Sequence, residues 1–498
     1  MLFNSLAFLI FFPTVVFLYY ALPNRWRIFL LLAASCIFYM AFVPKYIFIL
    51  FFLITVDYFL AQIINQHADK KRKVFLIFSI LANIGTLFVF KYFNFFNTNI
   101  ATLASFFHWN YAPALLKIAL PLGLSFHVFQ SLSYVIEVYR GKYQPEKNYL
   151  TYALYVMFFP QLVAGPIERP QHLLPQFKLP HDFNRQNVRR GLERMLWGFF
   201  KKLVIADNIA LIVNYVYANL EYFKNNESVV GLALILAAAL FTYQLYCDFS
   251  GYSDIALGSA LVLGYDLTEN FNRPFAAHSI AEFWRRWHIS LSNWLRDYLY
   301  YPLALGWGKV SKAKLYLSLF ITFVLIGLWH GANWTFVVFG AIYGLYQIIG
   351  SLTEKARAKL AQLIGLTKLS KFHGFLKIVT TFCLVSLANV FFRADDLYQA
   401  WQIITHFGDG LVHVVDYKYL RYQLFTDKIF GVAKGVMAGV LLAIVIMEVI
   451  QYYQAKKNDL YIFENSNRLF RYGWYYFLLL SILFFGYLQA STFIYFQF

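Results

Sequence analysis

Residues 279–302 read SIAEFWRRWHISLSNWLRDYLYYP and, after a short basic linker, residues 315–334 read LYLSLFITFVLIGLWHGANW. Leu315 to Trp329 carries no charge, so a helix there suits hydrocarbon. His330 ends that run, and Gly331 and Ala332 interrupt the helix before a second apolar run opens at Trp334. Irregular backbone at membrane depth persists only where it is buried in protein or lines water. An ionisable side chain at such a break is a functional candidate by default, with a satisfied structural histidine as the alternative.

The upstream half begins with a capping box, Ser279 three residues before Glu282, in which each side chain satisfies a backbone N–H of the first turn. A helix is expected from near Ile280. At about 100° per residue, Arg285, Arg286, Asn293, Arg296 and Asp297 share one arc, while Phe283, Trp287, Leu291, Trp294 and Tyr298 share the opposite one. The pattern predicts one amphipathic helix at a membrane interface. His288 falls at the border of the apolar arc beside Trp284, and its plain reading is an interfacial histidine with one ring nitrogen wet.

Composition sets the class. The 498 residues are 60% hydrophobic, 21% aromatic and only 14% charged, which defines an all-α polytopic membrane protein. Ser5 to Leu22 has no positive residue before it, so it is expected to stay as a first span rather than leave as a signal. Cys36, Cys247 and Cys383 lie far apart in apolar runs and suggest neither a disulfide framework nor a metal cluster. The net charge of +18 would suit nucleic acid, but the basic residues sit in short loops: Arg25 and Arg27, Lys70–Lys73, Arg140–Lys147, Arg185–Lys202, Lys309–Lys314, Lys355–Lys371 and Lys456–Arg471. That is the positive-inside pattern. It argues for a lipid bilayer and against nucleic acid, and it places both termini outside.

About twelve crossings are expected: 5–22, 27–43, 46–64, 74–96, 114–137, 203–222, 229–247, 315–330, 334–351, 373–392, 430–452 and 472–490, forming a single integral membrane domain over 1–498. Tyr149–Gly165, Asp248–Leu267 and the interfacial helix are read as re-entrant or surface elements around a central cavity. Pro121, Pro160 and Pro166 should kink or end helices.

Other polar groups are open to two readings. Asp248 and Asp254, in YCDFSGYSDIALG, either carry protons in a transporter or orient a catalytic partner, or else cap helix ends and pair with Arg273 or Arg285. His127 reads as a packed, hydrogen-bonded residue, and His172, His278 and His413 lie in loops. There is no phosphate-binding P-loop, nucleophile elbow or HExxH, and no internal repeat of the inverted transporter kind.

FFPQLVAGPIERP at 158–170, YCDFSGYSDIALGSALVLGYDLTENFNRPF at 246–275, the block 283–303, GLWHGANWTFVVFGAIYG at 327–344 and FFRADD at 391–396 together resemble the membrane-bound O-acyltransferases, in particular the branch that O-acetylates alginate. Proteins of teichoic-acid D-alanylation are more distant relatives. The resemblance covers residues 120–400 as the catalytic core, flanked by N-terminal spans (1–119) and an outer loop with C-terminal spans (401–498). It implies transfer of an acyl group, usually acetyl, from a cytoplasmic thioester to hydroxyls of an exported polysaccharide. The setting is a bacterial inner membrane. The family's catalytic histidine falls on His330 and its second polar position on His288.

The chemistry of the residues agrees. Attack of an alcohol on a thioester needs a base active near neutral pH, and an imidazole with an ordinary pKa of about 6.5 suits it. His288 or Asn333 could donate to the developing oxyanion, with Trp329 and Trp287 as pocket walls. Arg285 and Arg286 are candidates for the phosphates of a donor, or serve lipid headgroups. No permanently bound cofactor is expected; the donor would be acetyl-CoA or an acyl-carrier thioester. A funnel open to both faces should meet near His330, and the loop Ala394–Lys428, with Asp395, Asp396, Asp409 and Asp416, could dock a periplasmic partner. A proton- or ion-coupled transporter using Asp248 and Asp254, and a non-catalytic scaffold of an exopolysaccharide complex, are the rival readings.

Overall fold

The computed structural model describes residues 1–221, 230–306, 308–411, 430–488 and 493–496. Among them every regular element is helical. In chain order the principal helices are α1 Leu6–Ala21, α2 Asn24–Met40, α3 Ile47–Gln66, α4 Lys71–Leu87, α5 Phe93–Phe106, α6 Leu124–Tyr139, α7 Tyr149–Met157, α8 Arg185–Phe199, α9 Asp207–Ala218, α10 Val230–Val262, α11 Ile280–Arg286, α12 Ile289–Leu295, α13 Lys312–His330, α14 Trp334–Leu352, α15 Ser370–Arg393, α16 Leu397–Thr405, α17 Lys434–Lys457 and α18 Arg468–Phe485.

Seven helices among the described residues are long and apolar enough to cross a membrane: Pro44–Gln66, Lys71–Phe106, Gly231–Val262, Lys312–His330, Trp334–Leu352, Ser370–Arg393 and Gly435–Lys457. Each overlaps an expected crossing. The others are shorter or carry charge in their first turns. The expected span 114–137 is helical only from Leu124, because Pro121 precedes Gly123, whose φ of 72° is left-handed and starts α6. A π-turn, Phe88–Tyr92, joins α4 to α5. Another, Phe200–Ala206, joins α8 to α9, so the expected span 203–222 is the second half of a longer helix.

Asp248–Leu267, expected as a separate re-entrant or surface element, continues α10 as helix as far as Val262 and is irregular only after it. Its glycines are packing surfaces, not breakers. A Cβ at Gly251 would meet the Gly198 carbonyl oxygen at 2.8 Å, and one at Gly258 would meet that of Gly191 at 2.5 Å. Neighbouring backbone comes too close for any side chain.

The chain forms two compact units, one of Met1–Met195 with Ser253–Glu269, the other of Leu196–Tyr252 with the chain from Asn270 onward. The stretch 120–400, expected to be one core, is thus shared between them. In the first unit Asp57 on α3 is fully buried and accepts hydrogen bonds from Ser79 Oγ (2.6 Å), Asn83 Nδ2 (2.8 Å) and Ser131 Oγ. That buried carboxylate escaped the sequence reading. In the same unit the FFPQLVAGPIERP loop is buried and stapled: Glu168 accepts from Thr268 N (2.6 Å) and lies 2.7 Å from His172 Nδ1. His172 Nε2 lies 3.3 Å from Asp266, and bonds to Asp266 and Glu168 hold the imidazole well above its usual range, at about 10.

Candidate active site

The site lies in the second unit, and its local backbone explains its residues. Helices α13 and α14 meet backbone to backbone: a Cβ at Gly327 would meet the Phe336 carbonyl oxygen at 2.1 Å, and one at Gly340 would meet that of Phe323 at 2.3 Å. His330 is the last residue of α13, and Gly331 follows it in extended conformation (φ −161°). A Cβ there would run into the Phe336 ring at 2.1 Å, so close packing, not a positive φ, demands glycine after this histidine. Asn333 then caps α14: its Oδ1 accepts from Thr335 N at 3.1 Å, and its Nδ2 donates to the Asp395 carbonyl at 3.0 Å. With these two bonds Asn333 orders the turn after His330, and its second amide N–H is not used by either.

His330 is 4% exposed and ringed by aromatics, with centroids of Phe392 at 5.2 Å, Tyr495 at 5.5 Å and Phe339 at 5.9 Å. It lines a small cavity with Trp284, Trp287, Phe339, Asn389 and Tyr495 among its walls. The cavity measures about 10 Å³, room for about one water-sized group. The expected funnel is thus not this cavity, which is large enough only for the small end of a substrate.

The expected single amphipathic helix is two helices broken at His288. The Ser279 cap is present, its Oγ accepting from Glu282 N at 3.2 Å. The helix then stops because non-local bonds compete: Asn272 N donates to the Arg286 carbonyl and Ile289 N to the Asn270 carbonyl, each at 2.9 Å. Ser290 Oγ also donates to Asn270 Oδ1 at 2.7 Å. Between these ties His288 takes φ 42° and ψ 56°, the left-handed region that histidine enters more readily than most residues. The kink turns its ring inward. His288 is fully buried, not half-wet as expected, and burial pulls its imidazole down to about 3, so it is neutral.

Trp329 touches both imidazoles, 6.0 Å from His288 and 4.9 Å from His330 between centroids. The two rings are therefore at most about 11 Å apart. The remaining expectations separate. Trp287 lines the cavity. Arg286 pairs with Glu282 at 2.6 Å, and Arg285 is exposed.

Asp248 and Asp254 do not cap helix ends and pair with neither Arg273 nor Arg285. Asp248 lies mid-helix, 2.7 Å from Lys202 Nζ, and accepts from Ile494 N at 2.8 Å. Lys202 also holds Asp207 at 2.9 Å. Asp254 pairs with Arg194 at 3.0 Å, and Arg194 holds Glu269 at 2.5 Å. These are structural ion pairs.

Sequence reasoning missed Asn389 and Tyr495. Asn389 is a buried polar residue two positions before FFRADD, in the apolar last turns of α15, and that anomaly was a usable signal. Its Nδ2 donates to Thr242 Oγ1 at 3.1 Å. Tyr495 reaches the cavity from the far C-terminal end, which no local pattern reveals. His413 and Asp416 lie outside the described residues.

The site thus holds two buried histidines, one at a helix end and one between two helices, within a polytopic helical membrane protein. Residues 146–393 match the membrane-bound O-acyltransferase family, MBOAT, and the chain belongs to that family. It is an O-acyltransferase. The protein named Probable alginate O-acetylase AlgI of Pseudomonas aeruginosa is 38% identical over 408 residues, covering 81% of this chain and 74% of that protein. A Peptidoglycan O-acetyltransferase of Helicobacter pylori is 33% identical over 445 residues, 81% and 79% of the two chains. A Teichoic acid D-alanyltransferase of Bacillus subtilis is 27% identical over 56% of this chain and 69% of its own length. His288, His330 and Asn389 fall within the matched region; Tyr495 lies beyond it.

Proposed function

We propose that this protein transfers an acetyl group from a thioester, on coenzyme A or an acyl-carrier protein, to hydroxyls of an exported polysaccharide, with His330 as general base. The observation that carries this reading is the placement of His330, an imidazole at the end of an apolar helix, lining a cavity inside the family's matched region. The acceptor hydroxyl oxygen attacks the thioester carbonyl carbon while its proton passes to the His330 imidazole. The carbon–sulfur bond of the tetrahedral intermediate then breaks, and the imidazolium returns the proton to the leaving thiolate. General-base help of this kind is worth about 10²–10⁴-fold. The C-terminal end of α13, the negative pole of its dipole, favours the imidazolium formed on the way. His288 is the second polar group, its ring beside the Trp329 indole that also neighbours His330.

The setting is a bacterial cytoplasmic membrane, with basic loops and donor on the inner side and acceptor outside. The helix Leu397–Thr405, beside the turn that Asn333 orders, is offered as part of a docking face for a periplasmic partner that carries the acyl group onward or presents the polymer. The ion-paired state of Asp248 and Asp254 gives no support to the transporter reading. The test is vectorial: inside-out vesicles receive labelled acetyl thioester outside and polymer inside. Label on the enclosed polymer, dependent on this protein, supports the proposal; label appearing only on free acetate or not at all overturns it.

A further inference from the structure

The cavity beside His330 has an unfilled feature of its own. One of its walls is Trp284, 7% exposed, whose ring is held by Tyr343 at 5.1 Å and Phe323 at 5.2 Å. The indole has one polar group, the Nε1–H, a donor only. It is buried with no acceptor among the described residues. Buried donors without acceptors cost free energy and are rare in folded proteins. One kept in the wall of a cavity that also holds His330 marks a place where a ligand brings the acceptor. Leu245, Phe283, Trp287, Phe339 and Phe392 supply the apolar part of the wall, Asn389, Tyr343 and Tyr495 the remainder beside His330, and the space admits about one water-sized group. That is the scale of the small end of an acyl group, and each further carbon needs more room.

Building on the acyl-transfer reading, we propose that this cavity seats the acyl group itself: the methyl end lies against Leu245 and the aromatic rings, and the carbonyl oxygen accepts a hydrogen bond from Trp284 Nε1–H. The donor hydrogen bond strengthens as the carbonyl oxygen gains charge, so it acts on the transition state more than on the bound thioester. The apolar wall sets chain length, and the enzyme is selective for two-carbon acyl groups because the third carbon meets Leu245.

The experiment compares acetyl and propionyl thioesters, each presented on coenzyme A and on a phosphopantetheinyl carrier protein, in membranes containing the full chain. The unsubstituted protein should prefer acetyl by at least about tenfold, the usual worth of one methylene in a close-fitting pocket. Leu245→Ala should bring the two rates near parity by raising propionyl transfer, a gain that misfolding cannot produce. Should Leu245→Ala fail to insert, Leu245→Val reads the same ratio. Trp284→Phe, which removes the donor and keeps an aromatic ring, should lower kcat for acetyl by about a hundredfold. An unaltered ratio in the Leu245 variant together with full activity in Trp284→Phe would overturn the assignment and leave the cavity as a site for water only. His330→Ala, run alongside, separates the two claims, since retained transfer there contradicts the general-base reading and not the acyl seat.

Discussion

His288 shows how one residue is held where its preferences would not put it. Its left-handed backbone (φ 42°) costs a non-glycine residue about 1–2 kcal/mol, and the bonds from Asn270 and Asn272 hold it there. Asparagine tolerates that conformation, whereas a β-branched residue is an outlier in it. His288→Asn should therefore insert and melt like the parent and keep measurable transfer. His288→Val should lose at least about 10²-fold in rate and melt lower, as read by transfer assays and thermal unfolding in detergent. His330 was legible in the sequence because an imidazole at the end of an uncharged run is an anomaly that burial alone does not explain. The burial of His288 was not, since the kink that turns it inward is made by residues 16–18 positions upstream, and helical periodicity carries no information about them.

Elements tell the same story at longer range. Helices α13 and α14 were readable almost to the residue, as two apolar runs around a Gly-containing break, but their closeness was hidden. Gly327 and Gly340 look like helix weaknesses in sequence and are the contact itself. Gly327→Ala should cost about 1–3 kcal/mol through overpacking and lower transfer by shifting His330, with both effects measured on the same membranes. The unbroken α10 misled for the matching reason: glycine in YCDFSGYSDIALG serves close packing, which a one-dimensional reading takes for a turn. The His172 staple makes a pH prediction. Its imidazole is raised from about 6.5 when unfolded to about 10 in the folded chain by Asp266 and Glu168. The stabilisation is therefore complete below pH 6.5 and is lost as pH rises through 10. The difference in melting temperature between the parent and His172→Phe should be largest at pH 6 and shrink steadily toward pH 10; a difference independent of pH would contradict the charged pairing.

At the scale of the molecule, the all-helical membrane class followed from composition. Crossing number was less legible, because a run such as 114–137 is apolar enough to span and yet is helical in only half its length. The division into two units was not legible at all, since it depends on which helices pack together. Ion pairs inside each unit are equally silent in sequence. Lys202 sits between Asp207 and Asp248, and Lys202→Met would leave two buried carboxylates without their cation. The expected cost is about 3–5 kcal/mol, seen as a lower unfolding temperature. A charge-restoring Lys202→Arg should recover part of it.

The central claim is that His330 is the base of an acyl transfer. Its most direct measurement is the single-turnover rate of labelled acetyl transfer by His330→Ala and parent proteins present at equal amounts in membranes. Normal insertion with a rate lower by about 10²-fold or more is expected; a His330→Ala protein that transfers acetyl at the parent rate would contradict a base role for His330.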